Sequence, residues 1–319
     1  PFPGDAVVDI TFTTDAGPRT PQIYDALVVL SGTVLPVDIT DVVTLFDQVS
    51  AAGEVRTGRV VTDRLLVVDG SEGPGGVSVA VGSPQPTDAW VFASNAPAGA
   101  VDAIAIYNPS STEEATVDVE IFLDLPEFNG RVEPVGITVR PGRTETVALS
   151  PGAELVSTGR VVDASARIPD DVGYWAAVRS LNGVEVVADH LTIAATPAPV
   201  AASASPGASV ASTRHYAATL TGRGELVVVN PAEDRIAVLD LTVYADGQVF
   251  SVGTLEVSRL SRLVLDLASL GVPADALLEI VSTEPVFAER RAPAGDAGSV
   301  TMQTVVVSGA TSTPELPLS

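Results

Sequence analysis

The sequence predicts an all-β protein built of tandem β-sandwiches, and three observations carry that prediction. Valine occurs 51 times among 319 residues, and a branched Cβ sits better on a pleated surface than in a helix. Short runs alternating apolar and polar residues, punctuated by Gly, Pro and Asn, fill most of the chain. The same motifs then return in the same order and at matched spacing, which marks the chain as a repeat.

The repeat is read from two motifs. Ile104-Ala-Ile-Tyr-Asn108-Pro109 returns as Leu226-Val-Val-Val-Asn230-Pro231, and nine residues after each proline an aspartate, Asp118 or Asp240, lies inside an alternating run. Pro1 and Asp9 fit the same template, eight residues apart. A second motif reads Glu54 to Val61, Glu154 to Val162 and Glu279 to Phe287; its first and third copies continue alike as Asp63-Arg64 and Glu289-Arg290. The alignment divides the chain into unit one (1–85), unit two (86–197), a linker (198–212), unit three (213–310) and a tail (311–319). Pro1 matches Pro109 and Pro231, so unit one lacks the N-terminal strand that precedes the turn. The expectation is an upstream extension ending in asparagine, with that segment or another chain covering the open sheet edge of unit one.

Element by element, unit one offers an alternating strand at Val7–Phe12 and the best helix candidate, Thr40–Val49, where Val43, Phe46 and Val49 repeat at helical spacing. The glycine-rich run Gly70–Gly76 has no lysine and reads as a turn into the strand Val77–Val81. In unit two Asn182-Gly183 separates Trp175–Leu181 from Val184–Ala188, a hairpin signal because both turn positions tolerate positive φ. Asp246-Gly247 does the same in unit three, between Leu239–Ala245 and Gln248–Leu255. Ala195–Ser212 is rich in Ala, Ser and Pro and reads as an extended connector. Single helical turns are expected at Ala268–Leu270 and Pro273–Leu277. Units of this length, with about seven short strands each, suggest immunoglobulin-like sandwiches.

Absences narrow the chemistry. There is no cysteine, so disulfides, thiolate metal sites and cysteine nucleophiles are excluded. All 17 basic residues are arginine, which removes Schiff-base chemistry, and two histidines, His190 and His215, cannot form a multi-imidazole metal site. The net charge of −23 is spread along the chain, against nucleic acid or anionic membrane as partners. No run approaches the length of a membrane span, and Pro1–Asp5 is no signal peptide.

Candidate site residues are few. Asp189-His190 is the one acid–imidazole neighbour pair, but adjacent strand residues point to opposite faces, so it forms no triad. No G-x-S-x-G elbow occurs, and the Asp9, Asp118 and Asp240 series reads as outward solvation of a strand. No enzyme activity and no cofactor is expected. Calcium has a weak case in the loops at Asp170-Asp171 and Asp296, which carry oxygen ligands but no EF-hand pattern. Aromatic rings make the best case for ligand binding: Trp90, Tyr174, Trp175 and Tyr216. Trp90 and Tyr216 align at the first strand of units two and three, where repetition favours core packing. Tyr174 and Trp175 are adjacent, with Trp175 read as core anchor and Tyr174 as surface.

With the Asn-Pro turn, the Glu-x-x-Ser/Thr-x-x-Val motif and the tandem sandwiches together, the chain resembles an uncharacterised family of extracytoplasmic proteins from actinobacteria. That resemblance implies a secreted or cell-surface location and a fold, and no activity. The expected function is a non-catalytic cell-envelope scaffold that engages other envelope proteins, or copies of itself, through sheet edges and loops. The second expectation is a carbohydrate- or cell-wall-binding module using the four rings.

Overall fold

A computed structural model of the chain describes residues 4–14, 17–39, 49–69, 75–96, 99–125, 130–152, 160–194, 201–219, 224–291, 303–305 and 307–308. These are all-β: the described residues hold no α-helix, only single 3-10 turns at Gln22–Tyr24 and Ser165–Arg167. The helix expected over residues 40–49, the turn over 70–74, the unit-two copy of the glutamate motif and the tail all lie wholly or mostly outside the described residues. The single turn expected at 268–270 is present, with Leu270 N donating to Asp266 O (3.2 Å) and Gly271 N to Ala268 O (3.0 Å); the 273–277 turn is not helical, and residues 276–277 already belong to a strand.

Residues 86–206 form a sandwich of two sheets. Its strands are β7 (Ala89–Phe92), β8 (Val101–Asn108), β9 (Ala115–Leu123), β10 (Val135–Val139), β11 (Arg143–Ala148), β12 (Val161–Asp163), β13 (Tyr174–Ser180), β14 (Val187–Ala194) and β15 (Ala201–Pro206). One sheet runs β10-β9-β13-β7 and the other β12-β11-β8-β14-β15. Inward side chains at every second position, among them Ile104, Ile106, Val117, Val119, Ile121 and Val178, fill the space between them.

Residues 212–308 repeat that arrangement. The strands are β16 (Ser212–Thr219), β17 (Glu225–Asn230), β18 (Ala237–Ala245), β19 (Gln248–Val257), β20 (Ser261–Asp266), β21 (Ala276–Arg291), β22 (Gln303–Val305) and β23 (Val307–Ser308). The 16-residue β21 serves both sheets: its first half pairs with β18 and β16, its second with β17 and β22. Strand for strand, β19-β18-β21-β16 matches β10-β9-β13-β7, and β20-β17-β21-β22 matches β11-β8-β14-β15. Residues expected to be a connector therefore include a sheet strand, β15, held by six paired residues of β14.

The N-terminal region has less of the pattern. β1 (Ala6–Thr14) is flanked on one side by β2 (Gly17–Arg19) and β3 (Leu27–Val29) and on the other by β4 (Val49–Thr57). A separate hairpin joins β5 (Asp63–Asp69) to β6 (Gly75–Val81). By pairing, β1 matches β9 and β18, β4 matches β13, and β5-β6 match β14-β15. Counterparts of β7, β8 and β11 are absent among the described residues.

The motif asparagines hold each sandwich together. The fully buried Asn108 donates through Nδ2 to Glu113 O (2.8 Å) and Val139 O (2.9 Å), and its Oδ1 accepts from Ser110 N (2.9 Å). Asn230 does the same with Arg235 O, Val257 O and Ala232 N. Val139 and Val257 end strands of the opposite sheet, so one amide closes the turn and links both layers. Asparagine supplies the two donors and the acceptor this needs.

Two turns differ from each other. Asp246 (φ 50°) and Gly247 (φ 72°) form a two-residue hairpin with both central residues at positive φ, as expected. Asn182-Gly183 does not form one: β13 and β14 lie in different sheets, so the segment arches over the sandwich edge. Asn182 anchors that arch, accepting from Thr116 N (3.1 Å) and donating to Glu114 O (2.8 Å).

Candidate functional site

Polar chemistry concentrates in two places: a buried carboxylate inside residues 86–206, and the faces where successive units meet. Asp102, at the start of β8, is 1% exposed. Its Oδ1 accepts from His190 Nε2 (2.5 Å), and its Oδ2 accepts from Tyr174 Oη (2.5 Å) and Ala96 N (2.6 Å). Burial opposes charge on His190, but the Asp102 carboxylate, by charge and by hydrogen bond, outweighs it and raises the imidazole pKa. The Tyr174 hydroxyl is pushed well up by burial and by the same carboxylate. As adjacent strand residues must, Asp189 and His190 face opposite ways: Asp189 points away from the cluster and meets Arg64 at 2.7 Å. With His190 2% exposed, no substrate reaches the cluster; it fastens β8, β13, β14 and residue 96 together.

The faces where units meet form the larger feature. Between units two and three lies a second apolar cluster of Val91, Ala93, Phe122, Trp175, Ala177, Val227, Val229 and Phe287. Trp175 stacks on Phe122 with ring centroids 3.9 Å apart and planes 5° from parallel. Polar clamps ring it. Arg262 forks onto Asp124 (2.8–3.1 Å) and donates to Ala93 O (3.1 Å). The Glu289 carboxylate accepts from Ala93 N (3.1 Å), Ser94 N (3.2 Å) and Ser94 Oγ, and Arg291 donates to Asn95 O (2.6 Å). Segment 93–96 is thus held from unit three by Glu289 and Arg291, and from within unit two by Asp102.

Units one and two meet through the matching positions. Thr13 and Ser50 are cross-strand partners, as Phe122 and Trp175 are. Thr13 Oγ1 meets Tyr107 Oη at 2.9 Å, and Ser50 Oγ meets Thr144 Oγ1 at 3.1 Å. Tyr107 and Thr144 are the counterparts of Val229 and Arg262, counted from the motif asparagines and their partners. Asp189, which binds Arg64, is the counterpart of Glu289: each lies opposite the residue three before its motif asparagine. Beside this contact, Ser78 of β6 accepts from Ala204 N of β15 (3.1 Å).

Against this frame the four candidate rings fall into different surroundings. Trp90 is in the unit-two core and donates Nε1–H to Val186 O (2.8 Å). Tyr174, expected at the surface, points inward to Asp102 and is buried. Trp175 points outward from its own sheet and is 1% exposed because unit three covers it. Tyr216 is 36% exposed and hydrogen-bonds Glu279 (3.0 Å), which also accepts from Tyr244 (2.7 Å) and Arg214 (2.9 Å). Hydrogen bonds from those two tyrosines hold the Glu279 carboxyl below its usual pKa range.

Trp90 and Tyr216 are not counterparts. Trp90 pairs with Val178 and His215 with Ile280, so Trp90 matches His215, and His215 Nε2 meets Val286 O at 3.0 Å as Trp90 meets Val186. A slip of one residue moves a side chain to the other face of a strand. Likewise Glu279 corresponds by pairing to Ala177 and not to Glu154. Among the described residues no group of three or more His, Asp or Glu is arranged to hold a metal ion; the Asp296 loop lies outside them. Sequence reading matched Asp63-Arg64 with Glu289-Arg290 but missed Asp189-His190 as the remaining copy. The signal was present, as the dipeptides Asp63-Arg64, Asp189-His190 and Glu289-Arg290. No protein-family model matches the chain, and no curated protein matches it.

Proposed function

We propose that this chain is a non-catalytic structural protein of the cell envelope or secreted fraction, a scaffold of immunoglobulin-like sandwiches stacked face to face. The observation that carries the reading is the repeated junction, in which matching positions of successive units meet twice. Pairing of β8 with β11 and of β9 with β13 supports the immunoglobulin-like description; the first and last strands have exchanged sheets relative to that plan. The Asp102–His190–Tyr174 cluster is sealed in a core. The resemblance to extracytoplasmic actinobacterial proteins is part of this proposal, as is the engagement of envelope partners. The carbohydrate-binding alternative keeps Tyr216 alone of its four rings at the surface, and no further observation favours it.

Fractionation of source cells tests the location: recovery with the envelope or medium is expected, and recovery with the cytoplasm overturns it. Calorimetry tests the stacked scaffold. Units two and three should unfold in one transition that Phe287→Asp splits into two; two transitions in the unaltered chain would end the reading.

A further inference from the structure

Strand alternation places Glu145 on the inner face of β11. It stands opposite Ile106 of β8, and Val147, two residues on, stands opposite Ile104; those three apolar side chains lie in the core between the sheets. Glu145 is therefore a carboxyl in an apolar layer, 5% exposed, with its Oε2 buried and without a hydrogen-bond partner. Unit three has a leucine there. Counted from the motif asparagines, Leu263 faces Val228 as Glu145 faces Ile106, and it packs against the core. Charge in such a place is penalised, because no hydrogen bond replaces the lost water. Two cations act on Glu145 by charge and not by hydrogen bond: Arg160, just before β12, and Arg140, just after β10. Desolvation outweighs them and holds the carboxyl above the ordinary carboxylate range.

The two residues before it on the strand reach unit one. Arg143 donates through Nη1 to Thr14 O (3.0 Å), and Thr144 Oγ1 meets Ser50 Oγ at 3.1 Å. We propose that Glu145 is a pH-operated latch on the junction of units one and two. Protonated, it lies in the core and β11 stays seated. Ionised, it is drawn out toward Arg140 and Arg160, and the start of β11 moves with it, which loosens Arg143 and Thr144 from unit one. The sign follows from linkage. A carboxyl whose folded pKa lies above its unfolded value near 4.5 contributes stability that is complete below 4.5 and is lost as pH rises through the folded value. Acid closes the latch, and rising pH releases it. His190 adds a fall of the same sign, but from an unfolded value near 6.5. A variant compared with the unaltered chain at each pH therefore isolates Glu145.

Glu145→Gln and Glu145→Leu in the full chain test it, by melting and by hydrogen exchange from pH 4 to 7. Glutamine is a neutral copy of the protonated acid and leucine is the residue unit three uses, so both keep the latch closed at every pH. The unaltered chain is expected to melt together with Glu145→Gln at pH 4 and several degrees below it at pH 7. At pH 7 the amides of β4 and β11 are expected to exchange at least about threefold faster in the unaltered chain than in Glu145→Gln, and at pH 4 at the same rate. Amides of β17 and β20 in unit three, expected to be unchanged, are the internal reference. Melting profiles that stay parallel from pH 4 to 7 overturn the proposal, and so does exchange in β4 that is the same in both proteins at pH 7. Should Glu145→Gln fail to fold, Glu145→Leu is read against the unaltered chain by the same two criteria.

Discussion

Phe122 and Trp175 in unit two, and Tyr244 and Leu277 in unit three, are one pair of positions in two copies of the same sheet face. In unit two the pair is a parallel ring stack beneath another sandwich; in unit three the pair is half exposed beside a glutamate held by two tyrosines. The strand pairing beneath them is the same. The difference teaches that the backbone defines where a unit docks, while the side chains record whether a neighbour is present. Apolar rings suit permanent burial, whereas tyrosine and leucine around a satisfied carboxylate suit a face that also meets water.

The comparison is broken most severely at its centre. Trp175→Ala should destabilise the chain by about 3–5 kcal/mol through loss of the stack and the void left behind. Leu277→Ala, at the matching place, should cost less than about 0.5 kcal/mol in dilute solution. Denaturant titration of both variants checks the contrast, and equal costs would remove it. Arg262→Ala should come next, at about 2–5 kcal/mol, because it strips Asp124 and the Ala93 carbonyl of a mostly buried guanidinium. Hydrogen exchange at Ala93 and Ser94 should then accelerate, since the clamp around them loosens.

A gentler test asks where the two units ought to agree. Asn108→Ala and Asn230→Ala should each cost about 1–3 kcal/mol, and by similar amounts, because each leaves buried carbonyls of both layers without a donor. Unequal costs would show that the motif is not doing the same job twice. The smallest effect is one of pH. His190 has a raised pKa in the folded chain, so its contribution is complete below the unfolded value near 6.5 and is lost as pH rises through the folded value. Unit three has Arg290 at the matching position, which keeps its proton over that range. Stability followed by melting from pH 5 to 9 should therefore fall, and His190→Gln should flatten the profile.

Much of the fold was legible from local signals. Asp246-Gly247 specifies its hairpin because both residues accept positive φ, and the Asn-Pro motif marks matching turns before any coordinates are known. What local signals do not contain is the sheet a strand joins next. Asn182-Gly183 has the same turn chemistry as Asp246-Gly247 but leads across the sandwich, a choice made by burial of Val186 and Ala188 in the core. The pairing of Trp90 with Tyr216 failed by a single residue, which in a strand reverses the face. The site was less legible still. His190 meets an aspartate 88 residues away, and Trp175 is covered by side chains from another unit. Neither separation leaves a trace in composition or period.

The unbroken strand β21 has a consequence for how unit three comes apart. In unit two the passage from β13 to β14 bends through an arch, so one sheet can lose an edge while the other stays zipped. In unit three that passage is two residues shorter and lies within one continuous strand, with Val286 paired to Ser212 between the two ladders. Peeling β21 from β18 pulls directly on its pairing with β17, so there is no local exit by which one layer frays first. Unit three is thereby the sandwich whose two layers must open together.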